Sequence, residues 1–214
     1  MSGASSNRIL SIFKSRTTVL DFMERLGYDT TDYSTFSINE IDAMFVNSQI
    51  DMLIKHKTSD KKTYIKYYFS VKTGSRQIRP QTLDTIIEDL YEIEGVLTPQ
   101  DTLIIIIDEE PNETIINKVK YLYERNGIFV VIHNIKRLQF NLLNHTLNPK
   151  VEMLTDKEVE DLLVKYNLKN AKMLPEISRF DPMALATAMR PGQVAKFIRS
   201  SVTALHQDYY RICV

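Results

Sequence analysis

Hydrophobic and polar positions near the N-terminus follow the spacing of helices. Apolar residues recur every three to four positions over residues 8–26, which predicts an amphipathic helix that ends at Gly27. A second, short helix is predicted over residues 37–45. Its first turn is indicated by Ser37 and Glu40, which have the spacing of a capping box. The chain is therefore predicted to begin with two helices.

Beyond these helices, the pattern changes repeatedly between strand and helix. Two strands with a polar hairpin between them are followed by two strands rich in β-branched residues. These strands are predicted over residues 50–54, 64–71, 102–107 and 128–132. Helices are predicted to begin at Pro80 and at Pro111 and Asn112, the second ending at Gly127. Such alternation predicts an α/β layer fold.

The last third of the chain has a different pattern, after a turn-rich segment at residues 144–151. We place a domain boundary there, giving an α/β domain over residues 1–143 and a small α+β domain over residues 144–214. The second domain is predicted to contain a helix capped by Thr155 and Glu158, and strands over residues 194–198 and 208–214. A domain this small gains stability by docking on a partner.

The composition and the distribution of charge exclude some classes of function. The 27 basic and 27 acidic side chains cancel, so a strongly basic, free-standing nucleic-acid binder is not indicated. Residues 55–79 nevertheless carry eight basic side chains and one acid, whereas residues 80–124 carry eleven acids and two lysines. Either both stretches are solvated faces, or the basic stretch approaches phosphates or an acidic partner surface. The longest apolar runs, among them residues 103–107, are too short to span a bilayer.

Side chains that could carry chemistry are sparse. The single cysteine, Cys213, excludes an internal disulfide and a cysteine-based zinc site, and the four histidines lack ligand spacing. One nuclease-like pattern exists: Asp51 on a strand, then Ser70 and Lys72 at the end of the next strand. Two-metal nucleases need an acid where Ser70 stands, so we interpret this pattern as shared architecture without the metal site. No metal or cofactor is expected.

The C-terminal third also contains an ordered series of short motifs. They are Leu162–Leu168, Leu174–Ile177, Asp181–Pro182, Pro191–Arg199, Ser201–Ala204 and Tyr209–Arg211. With these spacings the series resembles the assembly domain of the fifth-subunit family of eukaryotic-type DNA-directed RNA polymerases, a family that has archaeal relatives. A weaker resemblance at residues 26–28 and 145–150 extends it over nearly the whole chain.

The resemblance implies a fold and a function. It implies an N-terminal jaw domain with restriction-endonuclease-like topology but without that active site, and a C-terminal assembly domain. The chain would be a non-catalytic polymerase subunit that docks on the largest subunit, with its jaw near downstream duplex DNA. Departures such as Glu176, where the family has Arg, suggest a divergent member, with a viral source as one hypothesis. Glu110 and Glu113 add charge that repels phosphate where the family approaches DNA.

Candidate interface residues follow from the resemblance, with Arg199 and Tyr210 as the expected anchors. The partner-binding candidates are Pro175, Asp181, Pro182, Gly192, Val194, Lys196, Phe197, Arg199, Thr203, Tyr210 and Arg211. The DNA-proximal candidates are Asn112, Thr114 and Lys118, at the start of a helix and suited only to weak, sequence-independent phosphate contact. The expected partners are the largest subunit, the rest of the polymerase and downstream DNA.

Neither a membrane nor a second copy of the chain is expected as a partner. The expected location is the nucleus or, for a viral member, a cytoplasmic replication factory and the virion. Two alternatives stay open. The first is a stand-alone DNA-binding or adaptor protein, which predicts salt-dependent binding to duplex DNA. The second is a metal-dependent nuclease.

Overall fold

The protein is a mixed α/β structure whose packing divides it into two units. The computed structural model describes residues 3–69 and 78–214. The units are Met1–Phe140 and Asn141–Val214, called here the N-terminal unit and the C-terminal unit. Each contains a four-stranded sheet. Within the described ranges, none of the helices has the length and apolar character needed to cross a membrane.

The N-terminal unit begins with three helices, α1 (Gly3–Arg25), α2 (Thr31–Ser34) and α3 (Ile38–Val46). Helix α1 confirms the first predicted helix and starts five residues earlier than predicted. Gly27 follows it with φ +85°, a left-handed conformation that glycine adopts without strain. The capping box predicted before α3 is present, with Ser37 and the third residue of the helix bonded reciprocally.

The sheet of the N-terminal unit has the order β1-β2-β3-β4. Its strands are β1 (Met52–Lys55), β2 (Lys62–Tyr68), β3 (Thr102–Ile107) and β4 (Phe129–Asn134). The first two pair antiparallel as the predicted hairpin, and the remaining pairs are parallel. Every residue of β3 and β4 is buried, as expected of parallel strands covered on both faces. Val71, the predicted end of the second strand, lies outside the described residues.

Helices connect the parallel strands. Helix α4 (Pro80–Ile87) has a proline in its first turn, as predicted, and continues as a π-helix over Glu88–Ile93. Helix α5 (Glu113–Asn126) is capped by Asn112 and ends at Gly127, whose φ is +69°. A 3₁₀ turn, Ile135–Leu138, follows β4. The helix start predicted at Pro80 is therefore confirmed, and the one predicted at Pro111 and Asn112 is confirmed with Asn112 as the cap before Glu113.

The C-terminal unit has a sheet of order β5-β7-β8-β6. Its strands are β5 (Lys150–Met153), β6 (Glu176–Ile177), β7 (Val194–Ser201) and β8 (Leu205–Cys213). Its helices are α6 (Asp156–Lys165), with the predicted capping box, α7 (Pro182–Ala186), and 3₁₀ turns at Leu142–Asn144 and Ala171–Met173. Both predicted strands are present, whereas β5 and β6 had not been predicted because two to four residues show no clear alternation.

Each face of this second sheet carries its own small hydrophobic cluster. On the α7 face the buried residues are Ile177, Ala184, Met189, Ala195, Phe197 and Cys213. On the α6 face they are Leu162, Leu174, Val194 and Ile212. Because successive residues of a strand point to opposite faces, β7 and β8 contribute to both clusters.

Candidate functional site

Asp51, where the nuclease-like pattern begins, is engaged by donors from β2. It lies one residue before β1 and not on the strand as predicted. One carboxylate oxygen accepts the Tyr67 backbone N–H at 2.9 Å. The other accepts the Tyr64 hydroxyl at 3.3 Å and faces the Lys66 ammonium at 3.4 Å. Burial, and then the charge of Asp51, raise the pKa of Tyr64, which keeps this hydroxyl a donor.

The described residues hold no constellation suited to catalysis at a metal. Ser70 and Lys72 of the nuclease-like pattern lie outside the described residues. Across residues 3–69 and 78–214, no three His, Cys, Asp or Glu side chains are grouped to hold a metal ion. Cys213 is buried, and burial raises the pKa of its thiol to about 11, so it is protonated at neutral pH.

The three DNA-proximal candidates lie in or beside the first two turns of α5. The side-chain oxygen of Asn112 accepts the Ile115 N–H at 2.9 Å and so serves as the helix cap. The ammonium of Lys118 pairs with Asp84 at 2.8 Å. Thr114 is exposed. Two of the three polar groups are thus already used inside the protein.

Four of the partner-binding candidates have structural roles in the backbone of the C-terminal unit. The carbonyl of Pro175 accepts the Ile212 N–H at 3.0 Å. Asp181 caps α7 by accepting the Met183 N–H at 2.9 Å, with Pro182 in the first turn. Gly192 has φ +89°, and a Cβ there would be strained even though nothing lies within 4 Å of its position. These residues shape the unit.

Val194 and Phe197 require a correction, because they had been predicted to contact a partner. Val194 is 2% exposed to solvent and Phe197 is 3% exposed. Val194 packs in the α6-face cluster and Phe197 in the α7-face cluster. The sequence showed that both side chains are apolar and lie on a strand, but it did not show that other residues cover both faces of that strand. They hold the sheet together, and we remove them from the contact surface.

The α7 face continues outward as a cluster of two arginines around a tyrosine. The guanidinium carbon of Arg199 lies 4.6 Å from the centre of the Tyr209 ring, and that of Arg211 lies 5.2 Å from it. Arg211 also donates to the Glu176 carbonyl at 2.9 Å. Tyr209 had not been predicted as a functional residue, although its spacing of two from Arg211 within a strand could have placed both on one face.

Tyr210 and Lys196 lie on the α6 face, opposite Arg199. The two are cross-strand partners. The ammonium of Lys196 lies 3.6 Å from Glu152 and 3.4 Å from Asp208. Desolvation alone would lower the pKa of Lys196, but the Asp208 hydrogen bond and both carboxylate charges raise it overall. The two expected anchors, Arg199 and Tyr210, therefore cannot share one flat contact.

Thr203 lies in the exposed turn between β7 and β8. The neighbouring apolar residues Val202 and Leu205 are 106% and 83% exposed. The hydroxyls of Thr203 and Ser201 lie 3.4 Å apart. The outer end of this hairpin is thus a solvent-facing apolar tip that had not been predicted as functional.

Comparison with known proteins gives a family match for the C-terminal unit. The family model described as "RNA polymerase Rpb5, C-terminal domain" matches residues 140–213. The subunit called Rpo5 of a DNA-directed RNA polymerase from Thermococcus kodakarensis is 38% identical over 76 residues, which are 36% of this chain and 92% of the relative.

Two eukaryotic relatives are similar over most of the chain. Subunit rpabc1 of DNA-directed RNA polymerases I, II and III from Dictyostelium discoideum is 27% identical over 208 residues, covering 97% of this chain and 98% of the relative. Subunit 5B of DNA-directed RNA polymerases IV and V from Arabidopsis thaliana is 26% identical over 190 residues, covering 86% and 81%. The similarity therefore extends over both units.

Proposed function

The chain belongs to the fifth-subunit family of DNA-directed RNA polymerases, and from this premise we propose that it is a non-catalytic subunit of a multi-subunit polymerase. The observation that carries the proposal is the family match over residues 140–213, almost the same residues as the compact C-terminal unit. The rest of the polymerase is then its partner. Catalysis of nucleotide addition belongs to other subunits, and Asp51, held by three donors, suits a structural role.

Each unit has its own part in this proposal. The C-terminal unit docks on the largest subunit. The N-terminal unit forms part of a jaw near downstream DNA, with a restriction-endonuclease-like topology that has lost its active site. The supporting observation is a sheet in which an antiparallel hairpin is extended by parallel strands connected through helices.

Contact with DNA, in this proposal, is weak and independent of sequence. Thr114 is exposed at the start of α5 and can approach a phosphate. The acidic side chains nearby limit the attraction, although Asp108 pairs with Arg8 and Glu110 pairs with Arg137. The chain would reside in the nucleus, or in a cytoplasmic replication factory and the virion if its source is a virus.

A tagged pull-down from the native source tests the subunit assignment. We expect two very large polymerase subunits to be retained at moderate salt, in amounts close to that of the tagged chain. Recovery of the chain alone would refute the assignment. Salt-dependent binding to duplex DNA would then favour a stand-alone DNA-binding protein, and magnesium-dependent cleavage would favour a nuclease.

Substitutions test whether the C-terminal unit provides the docking surface. Arg199→Ala and Tyr210→Ala should each reduce retention of the large subunits by about tenfold, as truncation of an aromatic or arginine anchor does. The matched control is Tyr121→Ala, since Tyr121 is an exposed tyrosine of the N-terminal unit with Lys118 and Arg125 near its ring. Equal retention of all three variants would contradict this docking surface.

A further inference from the structure

An open cleft lies beside the outer half of β7 in the C-terminal unit. Its volume is about 690 Å³, and its floor and walls include Ile198, Arg199 and Ser200 of β7, His206 of β8, and the turn that leads into β5. Lys150, the first residue of β5, also lines it. The lining contains basic side chains and no carboxylate, so the cleft is suited to an anionic group.

Arg199 is the cation of this cleft that lacks a compensating charge. Lys150 pairs with Glu152 at 3.2 Å. Within residues 141–214, by contrast, no carboxylate lies at ion-pair distance from Arg199. Its guanidinium is held over the Tyr209 ring, which orients it without neutralising it. A guanidinium fixed in this way pairs well with a carboxylate in two parallel hydrogen bonds.

The same cleft exposes a free strand edge. Pairing between β5 and β7 ends where Lys150 faces Ile198, whereas β7 continues to Ser201. Residues 199–201 therefore have a neighbouring strand on the β8 side only. An unpaired edge of this kind is a template for an extended polypeptide, which adds main-chain hydrogen bonds to the charge pairing.

Apolar side chains beside the cleft favour a polypeptide over nucleic acid. Leu147, in the wall of the cleft, is 85% exposed, and Val202 and Leu205 at the hairpin tip are 106% and 83% exposed. Side chains of a protein partner can cover these groups and remove them from water. Phosphates and sugars would leave them solvated and would not pair with the strand edge.

We propose that this cleft binds an extended, acidic polypeptide segment of another polymerase subunit, whose carboxylate pairs with Arg199 and whose main chain lies along the free edge of β7. The inference rests on the proposed function and adds to it the chemistry of the docked segment and its place on the surface.

Photocrosslinking in the assembled polymerase tests the proposal. The tagged full chain carries a photoreactive phenylalanine derivative in place of Leu147, and crosslinked peptides are identified by mass spectrometry. We expect crosslinks to one segment of another subunit, rich in Asp and Glu. The control position is Val164, which is 82% exposed on α6 and should not crosslink to that segment.

Other photocrosslinking results would contradict either the proposed site or the proposed function. Crosslinks to nucleic acid or to a segment without carboxylates would overturn the proposal, as would the absence of crosslinks from position 147 in an intact polymerase. Failure of the chain to co-purify with any polymerase subunit would instead refute the proposed function itself.

Charge reversal supplies an independent test. Arg199→Glu should lower the yield of the crosslink from position 147 about tenfold, while Arg199→Lys should lower it less, because lysine keeps the charge but loses the paired hydrogen bonds. Lys165→Glu is the matched control, because Lys165 is an exposed cation near a tyrosine ring on the other face of the sheet. An equal loss with Lys165→Glu would show that only net charge matters and would overturn the specific site.

Discussion

The two sheets of this protein have the same number of strands but are buried very differently. In the N-terminal unit, β3 and β4 are buried along their whole length. In the C-terminal unit, β7 and β8 are buried at one end and exposed at the other, and each face holds a cluster of only four or six buried residues. Strands covered along their whole length support their own fold, whereas strands covered in part have surface available for a partner.

The largest expected effect comes from opening the core of the N-terminal unit. Phe129→Ala should lower the free energy of unfolding of this unit by about 4 kcal/mol, because it removes a fully buried aromatic side chain and leaves a cavity. Hydrogen exchange read by mass spectrometry should show the loss in β3 and β4. Loss of the same size in β7 and β8 would show that the units do not unfold separately.

Acid should weaken the same unit through His133. Burial, and then the charge of Arg137, lower the pKa of His133 to about 4 from its usual 6.5. Because the unfolded chain then binds a proton at higher pH than the folded one, stability is lost as pH falls from about 6.5 to about 4, by roughly 3 kcal/mol.

This pH effect is measurable by denaturant unfolding across that range. His133→Gln should flatten the profile, and a profile that remains steep in this variant would assign the effect to other groups. Hydrogen-exchange protection of the C-terminal unit, measured over the same pH range, serves as the internal reference.

A core truncation in the C-terminal unit should cost less. Leu162→Ala should lower the free energy of unfolding by about 2 kcal/mol, at the low end for leucine, because a cluster of four residues at the edge of the unit can relax around the gap. Val164→Ala, two positions along α6 and 82% exposed, should change stability little. Equal losses for Phe129→Ala and Leu162→Ala would remove the contrast between the units.

The smallest expected effect is the loss of a helix cap, and it should be of equal size in the two units. Thr155 caps α6 and Ser37 caps α3, each in a reciprocal capping box with a glutamate. Thr155→Ala and Ser37→Ala should each cost about 1 kcal/mol, since both remove an acceptor for a helix N–H. Thermal unfolding measures both losses, and a much larger loss for Thr155→Ala would mean that the C-terminal unit depends on this one helix.

The sequence predicted local elements well where a short-range rule determines them. The capping boxes at Ser37 and Thr155, the proline at the start of α4 and the glycine after α5 were all identified from neighbours a few positions apart. The short strands β5 and β6 were missed, because they are stabilised by residues distant in the chain that pair with β7 and β8.

The candidate site was predictable only in part, for a similar physical reason. Alternation shows which residues of β7 share a face, but not that a second layer covers each face, which is why Val194 and Phe197 were misplaced. Nor does it give the register that sets Arg199 beside Tyr209 and Tyr210 on the opposite side. The contacts of the remaining candidates with a largest subunit or with DNA stay predictions.

The central position of β8 has a consequence for the time at which the C-terminal unit can fold. Ile212 completes the α6-face cluster and Cys213 completes the α7-face cluster. During synthesis, neither face can close until these two residues have left the ribosome. The N-terminal unit, whose last strand ends at Asn134, can already have formed by then. The two clusters of the C-terminal unit are therefore completed later in synthesis than the sheet of the N-terminal unit.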